Sequence, residues 1–438
     1  MHKQTPSLLA LLLFLAIAPL SQAADLRELY QRALQSDPIL KAAEAEYRAA
    51  LAERPLARGN LLPQVGVSAQ MTRNRLDDQI SDVLSYYTDK GWNLTLTQPV
   101  WHQEYMVQLK LADATIGQAS ADLAAARQAL ILRLANAYFG VLDATAQLRY
   151  AEADKTAISR QLDQAKRRFE VGMIAITDVH EAQAAYDNAT AQLIAAKNGV
   201  VSAMAALAEI VGPLDPDTPL ADLVDDMPLA PPDPQALDAW IAAALEQNLS
   251  LQAARFAVEQ ARHGVSMARA GRYPTVDFNA GHGYSEANFG GIFPVERYNS
   301  YIQLQVAAPL YTGGKVTTGI DKAEQSLTAA KEQLASTERG VRRQVSDAYY
   351  GVLTAVASAQ ALKQSIVSSE SALKATEAGF EVGTRTIVDV LLSQRGRFAA
   401  IRNHAQARYS YVTNTLSLRQ AAGTLSEEDL DQLNRYLQ

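Results

Sequence analysis

The side chains best placed to do chemistry in this chain are carboxylates just past two glycines. Asp178 follows Gly172 and Asp389 follows Gly383 at the same distance, and Glu181 stands one helical turn beyond Asp178. In the second copy Leu392 occupies the place of Glu181. An acid in the first turn of a helix is stabilised by the positive end of the helix dipole in any protein, and capping alone accounts for such a residue. A ring of these acids, one from each of several chains around a narrow mouth, would in addition attract cations and repel anions. Arg385, just before Asp389, is a solvated tip residue on the first view. On the second it is placed to bond Thr177 or Asp178 of a neighbouring hairpin.

No catalytic set accompanies them. His102, His180, His263, His282 and His404 are dispersed, with no HExxH or paired ligand spacing, and no glycine-rich phosphate loop opens a helix after a strand. The chain has no cysteine, which excludes disulfides, thiolate metal sites and a lipidated N-terminal cysteine. Its net charge of −7 comes without a clustered basic stripe. No enzyme, cofactor, metal site or nucleic-acid partner is expected.

The carboxylates belong to a stretch that occurs twice. FEVGMIAITD (residues 169–178) and FEVGTRTIVD (residues 380–389) share Phe, Glu, Val, Gly, Ile and Asp at a constant offset of 211 residues. The offset also relates Pro63 to Pro274 and Ala137-Tyr138 to Ala348-Tyr349. Each copy lies between long proline-free, alanine-rich runs, so each is the tip of a helical hairpin, reversing at a glycine.

Residues 1–23 combine a basic start, an apolar run from Leu8 to Leu20 and Ser21-Gln22-Ala23, as in a cleaved signal peptide. The first repeat, residues 24–211, begins with a helix broken at Asp37-Pro38. Past Pro63 the apolar period drops from 3.6 to 2: Val65, Val67, Ala69 and Met71, then Trp92, Leu94 and Leu96, alternate with polar residues. Residues 63–102 are therefore two strands with a long helix and the tip after them, and residues 274–311 are the corresponding strands of the second repeat, residues 235–422. Between the repeats, residues 212–234 hold seven prolines and six aspartates, a linker clamped to the helices or partly mobile. Residues 423–438 end the chain with one short helix whose start at Ser426 looks like a capping box.

Strands of roughly ten residues with aromatics at their ends (Trp92, Trp101, Tyr298, Tyr301, Tyr311) match an outer-membrane barrel. Four strands cannot close one, so the barrel must be shared between chains. Two chains would enclose a lumen filled by side chains, and three chains give twelve strands. The expected fold is thus mainly α with a membrane β-barrel portion: a trimeric twelve-stranded barrel leading into a barrel of twelve helices, with two repeats per chain.

FEVGMIAITDVHEAQAAYDNA from residue 169, FEVGTRTIVDVL from residue 380 and AAGTLSEEDLDQLNRYL near the C-terminus resemble the TolC family of outer-membrane efflux proteins, and the layout agrees along the whole chain after residue 23. The resemblance implies a homotrimer in outer-membrane lipid with its helical tunnel in the periplasm of a Gram-negative bacterium, girdled by an equatorial domain of the linker and C-terminal segments. It implies a passive exit duct for efflux and type I secretion. Its partners would be a periplasmic adaptor (membrane fusion) protein and an inner-membrane transporter of RND, ABC or MFS type. It makes Asp389 the aperture constriction and Thr177, Asp178 and Arg385 the closing network, and it lets adaptors grip Val171, Gly172, Val382, Gly383 and Thr384. Two residues depart from the family pattern: Phe380 stands where a tyrosine is usual and Leu392 where a second acid is usual. A weaker closed state and a single acidic ring follow. The competing reading is a trimeric coiled-coil stalk or adhesin anchored by a shared barrel, which needs neither chain reversal nor charged tips.

Overall fold

The helical start of each repeat breaks at a residue that serves two helices at once. In the computed structural model, which describes residues 24–78, 83–216, 218–289 and 293–438, α1 (Leu26–Ser36) meets α2 (Pro38–Gly59) at Asp37. The expected signal peptide lies outside the described residues, as do residues 79–82, 217 and 290–292. The Asp37 N–H closes α1 on the Ala33 carbonyl (2.8 Å), and its Oδ2 accepts from the Leu40 N–H (2.8 Å) to open α2. Asp37 is only 1% exposed, and Arg133 donates to both its oxygens at 3.1 and 2.7 Å. Asn248 joins α5 (Leu237–Gln247) to α6 (Leu249–Ala270) in the same way, accepting from the Leu251 N–H (3.0 Å) and donating to the Ala421 carbonyl (2.9 Å). Gln344 takes the place of Arg133 at the repeat offset. The second repeat keeps the cap and drops the charge pair.

Alanine, leucine and glutamine without proline give the long helices. α3 (Gln103–Glu170) has 68 residues and α7 (Lys315–Glu381) has 67, so each is about 100 Å long. Partner helices about half that length follow each tip, α4 (Ile176–Val211) and α8 (Ile387–Ala422). Both α2 and α4 lie along α3, both α6 and α8 lie along α7, and α3 also packs on α6 and α8. The helices therefore form a wall, in the order α2, α3, α6, α7 in one half and α4, α3, α8, α7 in the other. By length and composition α3 and α4 are each apolar enough to cross a membrane; both run in this wall.

The linker is clamped. Ala24 bridges Leu220 in parallel, Leu223 bridges Leu437 in antiparallel, and Asp222 and Gln438 exchange backbone hydrogen bonds at 2.9 Å. Tyr138, fully buried, donates to the Ala221 carbonyl at 2.6 Å, and Arg408 donates to the carbonyls of Leu223 and Val224 and pairs with Asp225. The terminal helix α9 (Glu427–Asn434) starts in a capping box of Ser426 and Asp429, and its Leu430 and Leu433 join the core around Leu134, Tyr138 and Phe139. This is the largest apolar core among the described residues, and it sits midway along the helices.

One four-stranded antiparallel sheet crowns the wall, in the order β1 (Gln64–Asp78), β2 (Val83–Trp101), β3 (Thr275–Phe289), β4 (Phe293–Ala307). Its register puts mostly apolar residues on one face and mostly polar ones on the other. Val67 faces Leu94, Ala280 faces Ile302, and Phe278 faces Leu304 on the apolar side, where Val67 and Ile302 are 76% and 79% exposed. Gly66, Thr95, Asn93, Asn279, Gln303 and Gln305 line the other side, with Thr97 donating to Asn279 at 3.0 Å. The strands run 15 to 19 residues, longer than the ten expected. The second strand pair stops at Ala307, short of the expected residue 311, leaving Leu310 and Tyr311 97% and 87% exposed. Their counterparts in β2 remain in the sheet because β3 pairs with them, Trp101 with Val276. The edge strand β4 lacks such a partner beyond Ala307.

Asp37 should therefore cost more to remove than to neutralise. Asp37→Ala loses the cap and leaves Arg133 unpaired, an expected loss of about 3 kcal/mol, whereas Asp37→Asn keeps the cap that Asn248 makes and should lose less than half of that. Denaturant titration of the purified protein measures both; equal losses would mean that the cap contributes nothing.

Candidate functional site at the hairpin tips

Each long helix ends by the same backbone device. Gly172 and Gly383 adopt φ of +74° and +77°, a region open to glycine, and their N–H groups return to the Phe169 and Phe380 carbonyls (2.9 and 3.2 Å). The Met173 N–H then reaches the Arg168 carbonyl, and the Thr384 N–H reaches that of Gly379. Gly379 is small for a reason: a Cβ there would lie 2.8 Å from the Arg385 side chain.

Past the turn the two tips differ. The N-cap of α4 is Ala175, which makes no side-chain bond, so Asp178 stands in a first turn without a cap. The N-cap of α8 is Thr386, and it forms a capping box with Asp389. The Asp389 carboxylate accepts the Thr386 N–H at 2.8 Å and its hydroxyl at 2.9 Å, while the Asp389 N–H donates to the Thr386 Oγ1 at 3.2 Å. These two donors, with Arg385 nearby, hold the Asp389 carboxyl below the usual carboxylate range. The capping role anticipated for an acid at this position is thus in place. Thr386 itself was missed by sequence reasoning, although a threonine three residues before an acid at a helix start is the available signal.

The hairpins touch through apolar side chains. Ile387 is buried against Leu162, Ala165 and Ala182 of the first hairpin, with Phe380 beside them. The Arg168 guanidinium lies over the Phe380 ring at 4.4 Å, so the residue that departs from the family pattern has a cationic partner. Within one chain Arg385 makes no bond to Thr177 or Asp178 among the described residues. Thr177 and Arg385 are both exposed, and Val171 and Val382, at the apices, are 69% and 75% exposed.

Residues 29–213 and residues 240–424 each match the family model described as outer membrane efflux protein. The chain belongs to this family. It is 38% identical to the outer membrane protein TolC of Vibrio cholerae over 98% of both chains. It is 28% identical to the alkaline protease secretion protein AprF of Pseudomonas aeruginosa, covering 93% of this chain and 86% of AprF. The crystal structure of the outer membrane protein VceC from Vibrio cholerae superimposes with a TM-score of 0.75 over 91% of this chain and 96% of VceC, at 21% identity, which shows the shared fold. The efflux family is one of transport channels, not an enzyme class, and its members sit in the outer membrane with a periplasmic tunnel.

The capping box makes a pH-dependent claim. The Asp389 pKa is lowered in the folded chain, so the stabilisation from the box is present above the ordinary carboxylate pKa of about 4 and disappears as pH falls through the folded value. Amide exchange over residues 387–390 should accelerate on acidification, corrected for intrinsic rates. Thr386→Ala, losing about 1 kcal/mol of capping, should reproduce that at neutral pH without affecting residues 176–179. No local change in the variant would sink the box as the cause.

Proposed function

We infer that three copies of the chain close one barrel in the outer membrane, twelve strands leading into twelve helices, and that the tips gate its periplasmic end. The chain is an outer-membrane exit duct for efflux and type I secretion. The observation that carries the trimer is the sheet: an exposed apolar face with β1 and β4 each paired on one side only, above helices about 100 Å long. Three copies joined β4 to β1 leave no edge. Family membership favours this over the stalk.

In such a trimer three Asp389 carboxylates face one axis, each held in the capping box of its own chain. Leu392, 61% exposed, adds no second ring, so the charge at the mouth is smaller and cation block weaker than with two rings. The Arg385 side chain, with no hydrogen bond or ion pair among the described residues, can reach Thr177 or Asp178 of the neighbouring protomer and close the mouth. Periplasmic adaptors and an inner-membrane transporter dock at this end, and Val171-Gly172 and Val382-Gly383-Thr384 are the apices they would grip.

Planar-bilayer recording tests the gate. Wild-type protein should show a small, cation-selective conductance that rises several-fold in Arg385→Ser, and Asp389→Asn should reduce the cation preference. A large wild-type conductance unchanged by Arg385→Ser would leave the channel and remove the latch, and no conductance at all would favour the stalk.

A further inference from the structure

Between the equatorial core and the tips, α8 crosses the α3/α4 hairpin over a cavity of about 530 Å³, within the range of small-molecule sites. Five alanines and Gly199 line it with Gln147 and Gln192, and its charged and aromatic groups come in a linear order. Asp154 lies at one end, facing Arg395; Tyr150 and Phe398, with ring centroids 6.3 Å apart, lie next; Arg402 lies beyond them. Arg395 and Arg402 are two helical turns apart, about 10 Å along α8.

Two of these groups carry an unpaired buried atom. Asp154 is only 8% exposed, and its Oδ1 has no hydrogen-bond partner; the buried Nε of Arg402 has none either. A buried unpaired carboxylate oxygen is expensive in a packed helical wall. Burial pushes the Asp154 carboxyl up, and Arg395 offsets this only in part without making an ion pair with it. A ligand that fits must donate at one end, accept at the other and carry a flat apolar body between.

We propose that this cavity is a binding site for small aromatic amines, with the ammonium on Asp154, the ring against Tyr150 and Phe398, and a terminal hydrogen-bond acceptor on the Arg402 guanidinium. All the walls described come from one chain. Because the ligand bridges α8 to α3 and α4, occupancy ties the second hairpin to the first.

Tyramine is the probe, since its ammonium and phenolic oxygen stand at opposite ends of one ring. Tyrosol, which carries a hydroxyl in place of the ammonium, is the neutral control. Calorimetric titration of the purified protein in detergent should give saturable tyramine binding with a dissociation constant of about 1 mM or tighter, and tyrosol should bind at least about tenfold more weakly. Asp154→Asn should weaken tyramine by at least about tenfold, and Ala151→Leu, which fills the cavity, should abolish binding. Absence of saturable heat in the wild type, or equal affinity for tyramine and tyrosol, would mean a cavity filled by water only and would overturn the site. The ligand comparison uses unaltered protein, so it decides even where Asp154→Asn fails to fold.

Discussion

An unsatisfied backbone donor or acceptor in hydrocarbon costs several kcal/mol, and β1 and β4 each present a row of them. The sheet of this chain is complete on its faces and incomplete at its edges. Its apolar side suits lipid and its polar side suits water, but neither can be occupied until the edges find partners. Everything beneath follows from that constraint. The duplication supplies two strand pairs where one would be too few, and the wall of helices holds the pairs in register.

The same duplication has diverged where packing allowed. At the break in the first helix pair, repeat one buries a carboxylate and matches it with Arg133; repeat two has Asn248 and Gln344 at the corresponding places. Asparagine can cap as aspartate does, so the backbone is unchanged while the charge is gone. The tips diverged in the opposite sense. Ala175 offers nothing to α4, whereas Thr386 locks the start of α8 to Asp389. At the equator the repeats differ as well: the linker and α9 lie on the core built around Tyr138, and a smaller separate core surrounds its counterpart Tyr349.

Local pattern made much of this legible. The change of period at Pro63, the glycines at 172 and 383, the proline after Asp37 and the proline-free, alanine-rich run from residue 103 each depend on a few neighbours in sequence, and the elements appear where those signals stand. What escaped depends on distant partners. Nothing near Asp37 announces Arg133, and nothing near Phe380 announces Arg168. The second strand pair ended early because strand length at an edge is set by the neighbour, which sequence alternation does not describe. The linker left two outcomes open until its contacts with the C-terminal segment were visible. At the tips, the acids were legible as acids, but the bond that fixes Asp389 belongs to a threonine that no apolar pattern marks.

The polar face of the sheet carries glycine, serine, threonine, asparagine and glutamine through its middle, with Tyr301 among them and few formal charges. In the trimer inferred above this face lines the duct, offering weak dipoles to everything and a strong grip to nothing. Molecules of either sign, and unfolded chains bearing both, would slide past it without a preferred resting place. Discrimination then belongs to whatever loads the duct, and the outer portion acts as an indifferent chute.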